Sequence, residues 1–365
     1  MTTSAGRAIR CFAGWGLLLF VGLPWLMVSC AEPVETGVVS FSGQTMGTTY
    51  RVGLAAQTPR SKWPPDTSEV QQRVKKRFAE INRLMSTYDP ESELSQFNES
   101  HSRDWFAVSD DTAHVVAFAI EVAEKTGGAF DPTVGPVVNL WGFGPGKRRE
   151  EPPTEDTIRR ASLHVGYQKI SVRSDPPALS KKTPEVVLDL SAVAKGYAVD
   201  QVAELLSAQG FGGAMVEVGG EVRTFGTKPD QAPWRIAIEK HPVSGGDFQQ
   251  ILELRAAALA TSGDYHNFFE SSNVRYSHTI DPQTGRPVQH SLAVVSVHAE
   301  TCMEADALAT ALLVMGAERG VDWCERHEVA ALFQIRHEQE FTVRATSCFE
   351  RLQDLPEPKL ESVEK

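Results

Sequence analysis

The sequence predicts an α+β fold with a mainly antiparallel sheet and flanking helices. Three observations carry this. Apolar residues at helical spacing dominate the first half of the chain, β-branched runs bounded by glycines dominate the second, and the long strand–helix–strand alternation of a parallel sheet is absent. With 365 residues, 41% of them apolar and 23% charged, the chain has enough apolar mass for a large core.

Residues 1–29 stand apart from that fold. Arg7 and Arg10 precede the apolar run CFAGWGLLLFVGLPWLMVSC, which ends in small residues and a cysteine, the pattern of a secretory signal. An uncleaved anchor is the alternative, because the run approaches the roughly 20 residues that span a bilayer. Pro24 and the LMVSC ending favour cleavage, and that ending resembles a bacterial lipobox with Cys30 as the lipidated residue. The expected division is a signal over 1–29, a polar tether over 30–40, one large domain over 41–350 and a flexible tail over 351–365.

FSGQTMGTTYRVGL suits a β-hairpin, with its threonines, tyrosine and turn glycine. Residues 68–87 place Val70, Val74, Phe78, Ile81 and Met85 on one helical face, and Ser68 with Gln71 makes a capping box. A second helix runs from Asp110 to Lys125, closed by Gly127 and Gly128, and a third from Ala192 to Ala208, closed by Gly210. Strands follow in GAMVEVGGEVRTFG, WRIAIEK, ILELRAAALATSG and SLAVVSVHAE. Glu304 to Gly316 is a helix apolar almost all round, and GVDWCERHEVAALFQIR with EFTVRAT supplies a last helix and strands.

The formal charge is −11, and −13 once residues 1–29, which carry two arginines and no acid, are removed. That balance gives no basic footprint for nucleic acid. Beyond the export segment the cysteines are Cys302, Cys324 and Cys348, an odd number that suits neither a disulfide framework nor a zinc site. Isolated buried thiols are expected, with a Cys302–Cys324 pair as the alternative.

Four segments carry candidate chemistry. In EADALATALLVMG, Asp306 and Thr310 sit four residues apart on one face of an apolar helix. A carboxylate there needs a partner. A salt bridge or cap answers that need, and so does a hard cation such as Mg²⁺, which takes a carboxylate with hydroxyl, carbonyl and phosphate oxygens. In LDLSAVAKGYAVD, Asp189 ends a strand, Ser191 is placed to cap the helix, and Lys195 lies in its first turn, an arrangement suited to a phosphate or to a plain solvated lysine. GGAFDPTVGPVVNLWGFG is too irregular for a regular element. Its Phe130, Trp141 and Phe143 suit either stacking on a flat ring or core, with core the safer assignment for Trp141. Thr261, Ser262 and Gly263 form a polar bend, and His278, before the DPQTGRP turn, is a candidate base, although lone histidines are more often structural.

Taken in order, QTMGTTY, LMSTYDPESELSQFN, GAFDPTVGPVVNLWGFG, LDLSAVAKGYAVD, TSGDY, SHTIDPQTGRP and EADALATALLVMG resemble the ApbE family of FAD:protein FMN transferases. The resemblance spans about residues 40–335. It implies an ApbE-type, T-fold-like architecture with two lobes around a flavin cleft. It also implies transfer of the FMN half of FAD to a Ser or Thr hydroxyl of an acceptor protein, with AMP released and Mg²⁺ required. By the resemblance FAD contacts Met46, Tyr88, Ala129, Phe130, Asp131, Asp189, Lys195 and Ile280. The metal takes the Ala192 carbonyl and the side chains of Asp306 and Thr310. His278 is then the expected base, with Asp281 the alternative. Ala309 stands where some members carry a second aspartate, and Glu221 where an aspartate is common. Expected partners are a membrane redox subunit as acceptor and a bilayer holding Cys30, on the periplasmic side of a bacterial membrane. The same residues would serve an FAD pyrophosphatase, and a non-catalytic FAD-binding lipoprotein is the reading from a different class.

Overall fold

The computed structural model describes residues 37–55, 67–146, 148–240, 248–265, 267–338 and 340–352. The expected signal, Cys30 and most of the tether and tail lie outside the described residues. Among the described residues, no helix is long and apolar enough to cross a membrane.

The N-terminal hairpin forms as the sequence predicts. β1 (Val38–Thr45) and β2 (Thr48–Ala55) turn at Met46 and Gly47, both at positive φ (48° and 75°), the backbone a two-residue hairpin turn demands. β1 takes in Val38 to Ser40, assigned above to the tether. α1 (Ser68–Met85) buries Val74, Phe78 and Ile81, but its cap is Thr67 rather than Ser68, and Gln71 Nε2 donates to Thr67 Oγ1 at 2.9 Å. Two adjacent hydroxyl residues satisfy the capping pattern equally, so sequence alone does not choose between them.

α2 (Glu93–Glu99) is capped by Ser92, β3 (Phe106–Ala107) is short, and α3 (Asp110–Lys125) is capped by Ser109. The stretch expected to be irregular holds one short helix, α4 (Gly135–Leu140), with a proline in its first turn, where a missing N–H costs nothing. α5 (Glu155–Ser162), β4 (Ile170–Ser174) and β5 (Pro177–Lys181) follow, and β3, β5 and β4 form a small sheet. α6 (Ala194–Ala208) starts later than expected. Its N-cap is Val193, not Ser191, whose hydroxyl donates instead to Asp189 Oδ1 at 2.5 Å.

Next come β6 (Gly213–Val218), β7 (Glu221–Gly226), β8 (Trp234–Glu239), β9 (Phe248–Leu254) and β10 (Ala257–Gly263). The run ILELRAAALATSG is two strands rather than one. It breaks at Arg255 and Ala256, so that β9 pairs with β8 while β10 enters the main sheet. Thr261 to Gly263, expected as a bend, are therefore the end of β10. Two small hairpins follow, β11 (Phe268–Ser271) with β12 (Val274–Ser277) and β13 (Ile280–Asp281) with β14 (Arg286–Pro287). β15 (Leu292–Ala299), α7 (Cys302–Met315), α8 (Ala317–His327), β16 (Ala330–His337), β17 (Glu340–Ala345) and α9 (Ser347–Arg351) complete the described chain.

The main sheet runs β1-β2-β6-β7-β10-β15-β16-β17, every neighbouring pair antiparallel. Strand alternation gives it two buried faces. Ala258, Ala260, Val295, Val297 and Phe333 join the core shared with α6 and α7, while Leu259 and Leu332 face the other way, toward the β8–β9 hairpin and Phe349 of α9. That is why α7 has little amphipathic character. It is covered by the sheet on one side and by α6 and α8 on others, and each fully buried leucine such as Leu308, Leu312 and Leu313 stabilises by roughly 1.5–3 kcal/mol. Cys302, Cys324 and Cys348 are free, so no Cys302–Cys324 pair forms; the first two are the isolated buried thiols expected, while Cys348 is half-buried. The two expected lobes are not delimited, because contacts join the described residues into a single unit.

Candidate active site

A cleft of about 860 Å³ opens where the α3–α4 loop, the start of α6, the β6–β7 turn, the end of β10 and the start of β13 converge. Its walls mix apolar side chains such as Ile236, Leu259 and Val314 with a cluster of charge.

The α3–α4 loop is shaped by its own side chains. α3 ends in Gly127 and Gly128, both at positive φ, and Thr126 Oγ1 accepts from Phe130 N at 3.2 Å. Ala129, Phe130 and Asp131 then line the cleft. Both oxygens of Asp131 are engaged within the protein: Oδ1 accepts from Thr133 N (2.8 Å) and Oγ1 (2.6 Å), and Oδ2 from Tyr167 N (2.9 Å). Burial pushes its carboxyl upward against these bonds. Asp131 is thus the organiser of the loop, and its contribution to the wall is one of shape.

Asp189 is joined to that loop through its backbone N–H, which donates to Pro132 O at 2.7 Å. Its Oδ1 closes a turn on Ser191 N at 2.9 Å, which leads through Ala192 into α6. Asp189, Ala192 and Lys195 all line the cleft.

Lys195 Nζ lies 2.8 Å from Glu221 Oε1 and 3.4 Å from each carboxylate oxygen of Asp306. Burial works against the ammonium, but the Asp306 and Glu221 charges outweigh it and hold its pKa above the ordinary lysine value. Burial likewise raises Glu221, with Lys195 opposing. Asp306, 3% exposed, also accepts from Gly196 N at 3.1 Å. The salt-bridge reading of Asp306 is therefore realised, with Lys195 as partner. Thr310 shares the cleft-facing side of α7, and its Oγ1 lies 3.3 Å from Ser262 Oγ on β10.

His278 also lines the cleft, and its Nδ1 lies 3.2 Å from Asn267 O. A carbonyl only accepts, so in the neutral ring Nδ1 carries the proton and the lone pair sits on Nε2. Phe143 meets the imidazole edge-on at 6.5 Å between ring centroids. Ile280 is buried beside it, and Tyr88, 67% exposed, stands at the rim.

Two expected residues are not brought to the cleft lining. Met46 lies at the β1–β2 turn, packed against the main core. Asp281 closes its own turn, accepting at Oδ1 from Gln283 N and at its carbonyl from Gly285 N. Trp141 is core, as expected, and its Nε1 donates to Gly285 O.

The model of the ApbE family matches residues 46–333. The chain belongs to the ApbE family. It is 44% identical over 324 residues to the FAD:protein FMN transferase of Vibrio cholerae serotype O1, covering 89% of this chain and 95% of that one. It is 36% identical over 310 residues to the FAD:protein FMN transferase of Escherichia coli K12, covering 84% and 87%. Among solved structures, the flavin transferase ApbE from Vibrio cholerae matches with a TM-score of 0.79 at 42% identity, covering 87% of this chain and 99% of that one. The apo flavinyl transferase ApbE of Pseudomonas stutzeri matches at 0.79 and 38%, covering 87% and 97%.

Within this ApbE-family fold, the cleft's charged cluster depends on two acids for which the sequence offered no partner. Asp200 on α6 accepts from Cys302 N and Met303 N, both at 2.9 Å, capping α7, and it is paired in turn with Arg223 at 2.8 Å. Gly196 permits the approach, since a Cβ there would stand 2.3 Å from Cys302 O. Glu221, 4% exposed, is the second. An acid opening a hairpin strand reads as solvated, and only the distant Lys195 gives it a role.

The donor set suits Mg²⁺. One carboxylate, a hydroxyl and a carbonyl are all hard oxygens of the kind Mg²⁺ takes. Among the described residues no three His, Cys, Asp or Glu side chains gather to hold an ion, so other oxygens, substrate phosphate among them, would have to complete its shell. Lys195 Nζ stands 3.4 Å from Asp306 Oδ2, so a divalent ion on that carboxylate would share it with the ammonium.

Proposed function

We propose that this protein is an FAD:protein FMN transferase that moves the FMN half of FAD onto a Ser or Thr hydroxyl of an acceptor protein and releases AMP. The observation that carries this reading is the convergence on one cleft of Asp306 and Thr310 from α7, Lys195 from α6 and His278 from the segment after β12, three separate parts of the chain. The names of its relatives support it.

The reaction is displacement at phosphorus, governed by positioning and charge neutralisation. The acceptor oxygen bonds to the FMN phosphorus, the bond from that phosphorus to the bridging oxygen breaks, and the AMP phosphate departs with that oxygen. His278 Nε2 takes the hydroxyl proton. Lys195 supplies a fixed positive charge in the first turn of α6, placed to face a phosphate. Phe130 and Phe143 with the apolar wall hold the flat flavin and exclude water. Asp306, Thr310 and the Ala192 carbonyl would hold Mg²⁺, which supplies charge neutralisation on the diphosphate. Tyr88, Ala129, Asp131, Asp189 and Ile280 complete the FAD site. Met46, off the lining, has no place in this reading of the cleft.

The protein is placed on the periplasmic side of a bacterial membrane, lipid-anchored through Cys30, with a membrane redox subunit as acceptor. The LMVSC sequence supports the anchor. Incubation with FAD, Mg²⁺ and a Ser/Thr acceptor protein, followed by mass spectrometry, tests the activity. Covalent FMN on the acceptor with stoichiometric AMP is expected. Free FMN alone would make the protein a pyrophosphatase, and bound FAD without AMP a flavin carrier.

A further inference from the structure

We infer that Glu221 is a positioning residue for the cation site: by holding Lys195, it keeps the Asp306 carboxylate open to a divalent ion. This rests on the cation reading given above.

The distances divide Lys195 unequally. Its ammonium makes one short bond, 2.8 Å to Glu221 Oε1, and two long contacts, 3.4 Å to each Asp306 oxygen. Charge-assisted hydrogen bonds sit at the shorter distance. Lys195 therefore belongs to Glu221 and only leans toward Asp306. All three side chains are shielded, Glu221 and Asp306 almost wholly and Lys195 with about a quarter of its side chain exposed.

In so shielded a setting an ammonium without its partner closes on the nearest carboxylate, because an unpaired buried charge is costly. Without Glu221 that carboxylate is Asp306. A divalent ion would then have to displace Lys195 before it could bind.

Glu221 itself carries the second observation. Its Oε2 is buried with no hydrogen-bond partner, and among the described residues Lys195 is its side-chain partner. A buried acid with one oxygen unsatisfied costs stability, so stability does not account for its presence. Holding Lys195 off Asp306 does. The geometry that sets its place is the β6–β7 turn, where Gly219 adopts φ +62° and a Cβ on it would lie 3.5 Å from Glu221 Oε2.

The test is Mn²⁺ binding without FAD, followed by loss of the free-ion EPR signal, so that the readout is independent of turnover. Glu221→Asp keeps the charge and shortens the reach by one methylene. The tether predicts that it weakens Mn²⁺ binding by about tenfold, the worth of one hydrogen bond to a charged group. Adding Lys195→Met should then return the affinity to that of Lys195→Met alone, a rescue that general structural damage would not show. Glu221→Gln, close to isosteric, gives the same comparison if the aspartate variant folds poorly. Wild-type affinity in Glu221→Asp, or no rescue by Lys195→Met, overturns the tether while leaving the cation site standing. A wild-type protein that binds no Mn²⁺ overturns the cation reading and the tether together.

Discussion

The backbone N–H of Gly196, in the first turn of α6, donates to Asp306 Oδ2 on α7 at 3.1 Å. The two helices must nearly touch for this bond to form, and they do so because residue 196 has no side chain.

Gly196→Ala should therefore separate α6 from α7. Its Cβ would stand 2.3 Å from Cys302 O and 2.6 Å from Cys302 C, backbone atoms that cannot rotate away. Overpacking of this kind costs about 1–3 kcal/mol. Urea denaturation should show that loss, accompanied by a fall in FAD turnover larger than the stability change explains.

Asp200 should behave as a second support for α7. Asp200→Ala leaves the buried N–H groups of Cys302 and Met303 without their acceptor, while Arg223 keeps Glu204, a loss of about 1–3 kcal/mol for each buried group left unsatisfied. The expected outcome is a lowered melting temperature. Restoration by Asp200→Glu would contradict it, since the added methylene displaces the capping oxygens.

How much of this was legible in the sequence follows from the range of each interaction. The i, i+4 placement of Asp306 and Thr310 is local, and so were the apolar faces of α1 and α3 and the β6–β7 hairpin. The pairs Lys195–Glu221 and Asp200–Cys302 span 26 and 102 residues, and nothing local marks either acid as buried. α4 was missed because a glycine and proline-rich stretch conceals a single helical turn. The strand break at Arg255 was missed because ILELRAAALATSG carries no turn residue there. Residue chemistry offered His278 as a candidate base but could not rank it above an ordinary histidine, and the resemblance supplied Ala192, which nothing local distinguishes from other alanines. It also supplied Met46, which the structure leaves at the hairpin turn.

His278→Gln should slow flavin transfer by about 10²–10⁴, the usual contribution of a general base. FAD binding should persist, because none of the charged cluster's hydrogen bonds runs through His278. Single-turnover kinetics separate the two, and a variant that loses FAD affinity while keeping its transfer rate would reassign His278 to binding.

Acid stability should depend on Asp111. Burial works to raise its carboxyl, but hydrogen bonds from Arg77 and Tyr197 and the Arg77 charge outweigh it, holding the group below the usual carboxylate range. A depressed folded-state pKa means stability present above the unfolded value and lost as pH falls through the folded one. Asp111→Asn should flatten the acid limb of the melting temperature below about pH 4, the ordinary aspartate range, and leave neutral pH as the region of greatest loss.

The most direct test of the account is Asp306→Ala, assayed for Mg²⁺-dependent AMP release and for covalent FMN on an acceptor protein, with FAD binding measured in parallel. The account predicts that release and transfer disappear while FAD binding survives in part. Turnover at the wild-type rate, with Mg²⁺ still required, would contradict it.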